Sequence, residues 1–221
     1  MKNPKFSIIV PHYDGVISDE MFIEGMKSLD ESTFRDFEVL IYHDGPVSRP
    51  IPDLSEFSFT YKYRETKTRY NDWGHSLRDL GIKEASGDYI IHFNPDNILD
   101  RGALFNIDKS IKKYSDFEKN SEEVDIVICP IIMEGMIKAR TIDTENYYLF
   151  RTKDKNDLIV MDGFPPERYS IDCMQLVGKR TMWLSNDGWY NKQEESDGII
   201  YKELCRKHTY ISCGFIMGVH R

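Results

Sequence analysis

The sequence predicts an α/β fold: a doubly wound, mostly parallel sheet with helices on both faces, followed by a smaller C-terminal elaboration of strands and helix. Three observations predict it. Short, continuously apolar runs recur, as strands buried on both faces require. Between them, apolar residues step by three and four, as one face of a helix requires. Three of the runs end in polar clusters, where ligands sit in such sheets. The clusters are Pro11-His12-Tyr13-Asp14, His43-Asp44-Gly45 and Asn94-Pro95-Asp96-Asn97.

Residues 6–10 are apolar and stop at Pro11, which gives the first strand. Residues 19–29 read as a helix: Met21, Phe22, Gly25, Met26 and Leu29 share a stripe, Ser18 can cap it, and Asp19 and Glu20 suit the positive end of its dipole. Residues 37–42 read as the second strand, and the alternation over 57–63 as a third. A second helix is expected over 71–85, with Trp73, Leu77, Leu80 and Ala85 near one face and Gly87 as its stop. Gly74 and Gly81 on it suit a close approach of backbone to ligand or sheet. Residues 89–93 are the next buried strand. Asp100 then caps a third helix, with Leu104, Ile107, Ile111 and Tyr114 inward.

After residue 115 the pattern changes. Residues 124–133 are strand-like, 136–150 read as further strands with polar breaks, and 153–157 as a charged turn. The segment 162–168 is a turn-rich loop, 175–184 a strand or mixed segment, and 185–196 polar. A last helix is expected over 197–208 and strand over 210–220.

The 221 residues are enough for one domain with a sizeable core, and 40% hydrophobic with 30% charged residues fits a globular chain. Lys+Arg 29 against Asp+Glu 37 gives a net charge of −8, which argues against a nucleic-acid partner. No apolar run reaches the roughly 20 residues of a membrane-spanning helix. The polar start leads straight into a strand and reads as no signal peptide. Cys129, Cys173, Cys205 and Cys213 lack metal-type spacing and are expected as reduced thiols, so a cytoplasmic location is expected.

Three stretches carry a family resemblance. Residues 5–15 (KFSIIVPHYDG), 37–46 (FEVLIYHDGP) and 71–96 (NDWGHSLRDLGIKEASGDYIIHFNPD) resemble, in order and spacing, the nucleotide-diphospho-sugar glycosyltransferases of family two, whose fold is called GT-A. The resemblance is looser over 175–207, where Glu194-Glu195-Ser196-Asp197 looks like the acidic motif before the family's last helix. The sequence departs from the family at His43 and Asn94, each in place of an Asp, and at Asp79 in place of an Asn. The resemblance implies a single GT-A domain over 1–221, with 1–115 the nucleotide-binding half and 116–221 the acceptor-binding half. It implies a metal-dependent, inverting transfer of a hexose from a nucleoside-diphosphate sugar to a hydroxyl acceptor such as a glycan.

The residues can be matched to that chemistry. A carboxylate approaches a diphosphate without repulsion only through a cation, so Asp96 is the expected ligand of Mn²⁺ or Mg²⁺. His220 is a second candidate ligand, suggested by some enzymes of this fold. Asp44 has acceptor oxygens for the imide N–H of uracil, which favours UDP over GDP. Pro11, His12 and Tyr13 can line base and ribose, and Arg69 and Asn71 can reach base or phosphate. The general base should be a carboxylate facing the leaving group. Asp197 is the first choice and Glu195 the second. Trp189 and Tyr190 can stack on a sugar or belong to core or surface. The loop 162–168 can cover the donor, receive the acceptor or simply connect. Two other classes remain open. A catalytically degenerate module would bind a sugar nucleotide or glycan, as the loss of Asp at Asn94 suggests. A nucleotidyltransferase would need a basic, Gly-rich loop after the first strand, and His12-Tyr13-Asp14-Gly15 has one Gly and no Lys or Arg.

Overall fold

The computed structural model describes residues 3–118, 123–134, 147–151 and 157–221. The strands are β1 (Phe6–His12), β2 (Phe37–His43), β3 (Thr60–Glu65), β4 (Tyr89–His92), β5 (Ile98–Leu99), β6 (Ile126–Ile128), β7 (Ile131–Met133), β8 (Tyr147–Arg151), β9 (Asp157–Met161), β10 (Leu176–Lys179), β11 (Tyr210–Ser212) and β12 (Gly218–His220). The helices are α1 (Asp19–Asp30), α2 (His75–Glu84), α3 (Ala103–Glu118), α4 (Arg180–Ser185) and α5 (Ser196–Lys207).

A seven-stranded sheet runs β11-β6-β10-β4-β1-β2-β3, and a five-stranded sheet runs β5-β12-β7-β9-β8. In the larger sheet β1 pairs in parallel with β2 and β4, and β2 with β3, while β10 runs against both its neighbours. Helices cover both faces: Phe22, Met26 and Leu29 of α1 and Leu104, Ile107 and Ile111 of α3 pack with Ile8 and Val10, and Leu77 and Ile82 of α2 with Trp183 and Ile200 pack with Ile9 and Leu40. The expected mostly parallel α/β sheet is therefore the one observed. The chain leaves β1 toward β2 on one side, and β4 lies on its other side. That reversal opens a crevice at the carboxyl ends of the strands.

Four segments differ from expectation. The second helix starts at His75, not residue 71, because Asn71, Trp73 and Gly74 have φ of 55°, 55° and 78°. Gly74 meets the cleft wall closely: a Cβ there would lie 2.6 Å from Pro11 Cβ. A Cβ on Gly81 would lie 2.5 Å from Ile9 Cγ2, so the helix does ride close on the sheet. The third strand starts at Thr60, with Phe57 and Phe59 stacked ahead of it at 5.5 Å. The strand-like runs 124–133 and 210–220 each break in two, at Pro130 and around Gly214, and each feeds both sheets. Alternation fixes strand character but not the point where a strand changes sheet. The segment 175–184 is β10 followed by α4. Of the expectations for 136–150 and 153–157, residues 136–146 and 153–156 lie outside the described residues. The four cysteines are free thiols. Among the described residues no helix is long and apolar enough to cross a membrane.

Candidate active site

A cleft of about 480 Å³ opens at the carboxyl ends of β1, β2 and β4. Pro11, His12 and Tyr13 line it from β1, Asp44 from the end of β2, Arg69 and Asn71 from the turn before α2, and Asp96 from the loop after β4. All seven residues expected at the nucleotide thus share one cavity.

Side chains tie these strand ends together. His43 Nε2 accepts from the Asp14 N–H at 3.1 Å and Nδ1 donates to Gly45 O at 2.7 Å. Nε2 also stands 3.4 Å from Asp14 Oδ1, so the His that replaces an Asp ties the end of β2 to the end of β1. Asp44 Oδ1 accepts from the Tyr70 N–H at 2.7 Å and Oδ2 from the Asn71 N–H at 2.9 Å. Each oxygen keeps a second lone pair for a ligand. The Arg69 guanidinium lies 3.7 Å from the Tyr13 ring centroid, so one face of Tyr13 is already covered. His12 is buried against Phe22, neither ring nitrogen has a partner, and burial above all pushes its pKa down to about 4.

Arg78 is buried beneath this wall. It donates to Trp73 O at 2.8 Å and to Asn94 Oδ1 at 2.6 Å. The Asn that replaces the first Asp of the metal motif is therefore an acceptor for a buried cation. Sequence reading missed Arg78 because its position on an amphipathic helix gave no signal beyond a charge at a core position.

The remaining candidates lie in the C-terminal half, outside the cleft lining, which ends at Asp96. Asp197 sits in the first turn of α5, and its Oδ1 accepts from the Gly198 N–H at 2.7 Å. Burial, reinforced by Asp172, pushes its pKa up to about 6. Glu195 differs. It accepts from the Tyr169 hydroxyl at 2.9 Å and from Arg168 at 3.1 Å, and these partners hold its carboxyl below the usual range. Of the two candidate bases, Asp197 is the buried one with a raised pKa, and Glu195 the one whose oxygens are already engaged. The loop 162–168 ends in the Arg168 that makes this contact.

His220 closes β12, with Nε2 3.5 Å from Asp172 Oδ2. Burial raises the Asp96 pKa, His220 opposes that shift and Asp172 adds to it, so all three share one local field. Asp172 was not singled out from sequence. Its available signal was Asp172 followed three residues later by Gln175, a capping pair that the structure contains. Among the described residues no three His, Cys, Asp or Glu side chains stand close enough to cage an ion. A Mg²⁺-type ion needs only one or two carboxylates when substrate phosphates complete its shell, so the donor set still suits one.

Trp189 is not available to a sugar. It is fully buried, stacked on His75 at 5.6 Å, and its Nε1 donates to Ser196 Oγ at 3.0 Å. Tyr190 lies at the surface and donates to Glu203 at 2.5 Å.

The chain is 30% identical over 99 residues to an uncharacterized glycosyltransferase of Rickettsia bellii, covering 45% of this chain and 14% of that protein. It is 28% identical over 133 residues to the minor teichoic acid biosynthesis protein GgaB of Bacillus subtilis, covering 58% of this chain and 14% of that protein. The chain thus spans about a seventh of the curated relatives it matches. No family model matches it. Among solved structures, residues 1–349 of Staphylococcus aureus TarS superpose with a TM-score of 0.67 at 14% identity, covering 97% of this chain and 60% of that one. The fold is that of a GT-A glycosyltransferase. The resemblance read from the three motifs is thus met by named glycosyltransferases in sequence and by a glycosyltransferase fold in structure. TarS has also been solved with UDP, at a TM-score of 0.66, and with UDP-GlcNAc, at 0.65.

Proposed function

We propose that the protein is an inverting glycosyltransferase that moves a hexosyl group from a UDP-sugar to a hydroxyl acceptor such as a glycan. The observation that carries this reading is the cleft that gathers Asp44 and Asp96, with Asp172 acting on both Asp96 and the buried Asp197, whose pKa is raised to about 6. The UDP complexes of TarS support the choice of nucleotide. Asp197 takes the proton of the acceptor hydroxyl. The acceptor oxygen bonds to the anomeric carbon, the bond from that carbon to the diphosphate oxygen breaks, and UDP leaves with the electron pair. Asp197 is ionised and still basic near neutral pH, which suits it to this role.

Asp96 would hold Mn²⁺ or Mg²⁺ together with the substrate phosphates, with His220 in the same local field as a second candidate ligand. A bound ion would supply positive charge for the departing diphosphate. Asn94 gives the rival reading its support, since its oxygen is engaged by Arg78. A site so altered could hold a sugar nucleotide without turning it over. Calorimetry with UDP, with and without Mn²⁺, followed by release of UDP from a panel of UDP-sugars, separates these readings. Micromolar UDP binding and sugar transfer or hydrolysis are expected. Binding without turnover for any donor and acceptor would favour the module. No UDP binding at millimolar concentration would overturn both.

A further inference from the structure

The chain has three tryptophans, and Trp183 and Trp189 are fully buried while Trp73 is 62% exposed. Trp73 is also a bulky residue at φ 55°, between Asn71 at 55° and Gly74 at 78°. A bulky side chain at positive φ is a strained choice that glycine would relieve. Among the described residues the indole is mostly left in solvent, so packing offsets little of this strain. Its ring neighbour, His75, is 6.2 Å away. The turn is nonetheless pinned in place. Asp44 holds the N–H groups of Tyr70 and Asn71, Arg78 donates to Trp73 O, and Asp72 Oδ2 accepts from Ser76.

The same contacts place the turn that carries the indole. Trp73 lines the cleft beside Gly74, which lies against Pro11, and Arg78 ties the Trp73 carbonyl to Asn94. That is the β1–β4 side, toward Asp96, while the proposed base partner Asp44 belongs to β2 on the other side of β1. We propose that Trp73 is a stacking platform for a pyranose ring at the mouth of this cleft. The C–H face of a sugar meets the electron-rich face of the indole, while the polar groups of the cleft reach its hydroxyls. This inference rests on the UDP-sugar reading above. The ring can come from the donor or from a saccharide acceptor, and both present the same face.

Acrylamide quenching of tryptophan emission tests it, because Trp73 alone is open to the quencher. The full chain is titrated with UDP, with UDP-GlcNAc, and with UDP plus a chito-oligosaccharide, while calorimetry reports UDP binding separately. Protection of Trp73 by UDP-GlcNAc assigns the donor sugar, and protection by UDP plus oligosaccharide alone assigns the acceptor. In Trp73→Ala the KM for the protecting sugar substrate should rise about tenfold, with UDP affinity unchanged, and Trp73→Phe should restore most of it. Protection by UDP alone would overturn the platform in favour of base stacking. Bound UDP with Trp73 still open to acrylamide in both sugar arms would overturn the platform and leave the UDP reading standing. Absence of UDP binding would overturn the UDP reading itself.

Discussion

The two regions of the site are built on different principles. In the first hundred residues, turns tie the strand ends together: His43 bridges Asp14 and Gly45, Asp44 grips two N–H groups, and Arg78 bridges Trp73 and Asn94. His12, with no partner at either ring nitrogen, and Asp96, raised by burial, are the exceptions there. In the C-terminal half the centre is one buried carboxyl, Asp197, raised by burial and by Asp172, with His220 facing Asp172. Under the proposed function, binding falls to the first region and proton transfer to the second.

The sharpest way to break this division is Asp197→Asn. A missing general base costs about 10²–10⁴ in rate. Turnover of the UDP-sugar should fall by about 10³ while UDP affinity, read by calorimetry, stays within about twofold. A matching loss of affinity would show that the two regions do not divide the work. The pH profile sharpens the same point. Asp197 must be ionised to accept a proton, and its pKa is about 6. Then kcat/KM should fall as pH drops through about 6, close to tenfold per unit below it, and Asp197→Asn should abolish that limb.

The cleft was legible in sequence and the C-terminal region only in part, for a physical reason. Strand ends announce themselves, because a buried apolar run must stop where polar residues begin, and β1, β2 and β4 each end in such a cluster. Parallel pairing then fixes which ends meet, so Asp44 and Asp96 could be placed together. Asp172 and His220 meet only because 124–133 and 210–220 switch sheets midway, and alternation does not encode that switch. The tryptophans were less legible for a related reason. Trp73 fell on a helical stripe with Leu77 and Leu80, yet three positive φ angles keep it out of α2. Trp189 sat in a polar stretch and read as a sugar contact, a core residue or a surface one, and it is a core residue beside Trp183 and Tyr201. Hydrophobic spacing reports a helix face only where the backbone is helical.

Those two residues supply the next effect in size. Trp189→Ala leaves a cavity among Trp183, Tyr201 and His92 and strands Ser196, so a loss of about 3–5 kcal/mol is expected in urea unfolding. Trp73→Ala should stay within about 0.5 kcal/mol of the parent, as exposed positions do. A large loss at Trp73 would mean that the indole supports the turn and is not simply displayed by it. Asp44→Asn is milder in outcome. The amide keeps one acceptor oxygen for two N–H groups, and its NH₂ meets an N–H that the carboxylate accepted. UDP binding should weaken about tenfold, with kcat for bound donor nearly unchanged.

The smallest effect belongs to the acid that sequence alone could not separate from Asp197. Glu195 stands two residues earlier, but Tyr169 and Arg168 hold its carboxylate in the ionised form. A base must gain its proton at the moment of attack, and partners that stabilise the anion resist that gain. Glu195→Gln keeps an acceptor for Tyr169, gives up the ion pair with Arg168, and should change turnover by less than about threefold at neutral pH. If it instead matches Asp197→Asn, Glu195 takes the acceptor proton. The surface pair with Arg168 would then have to open in the working enzyme, and the buried Asp197 would serve to orient the acceptor.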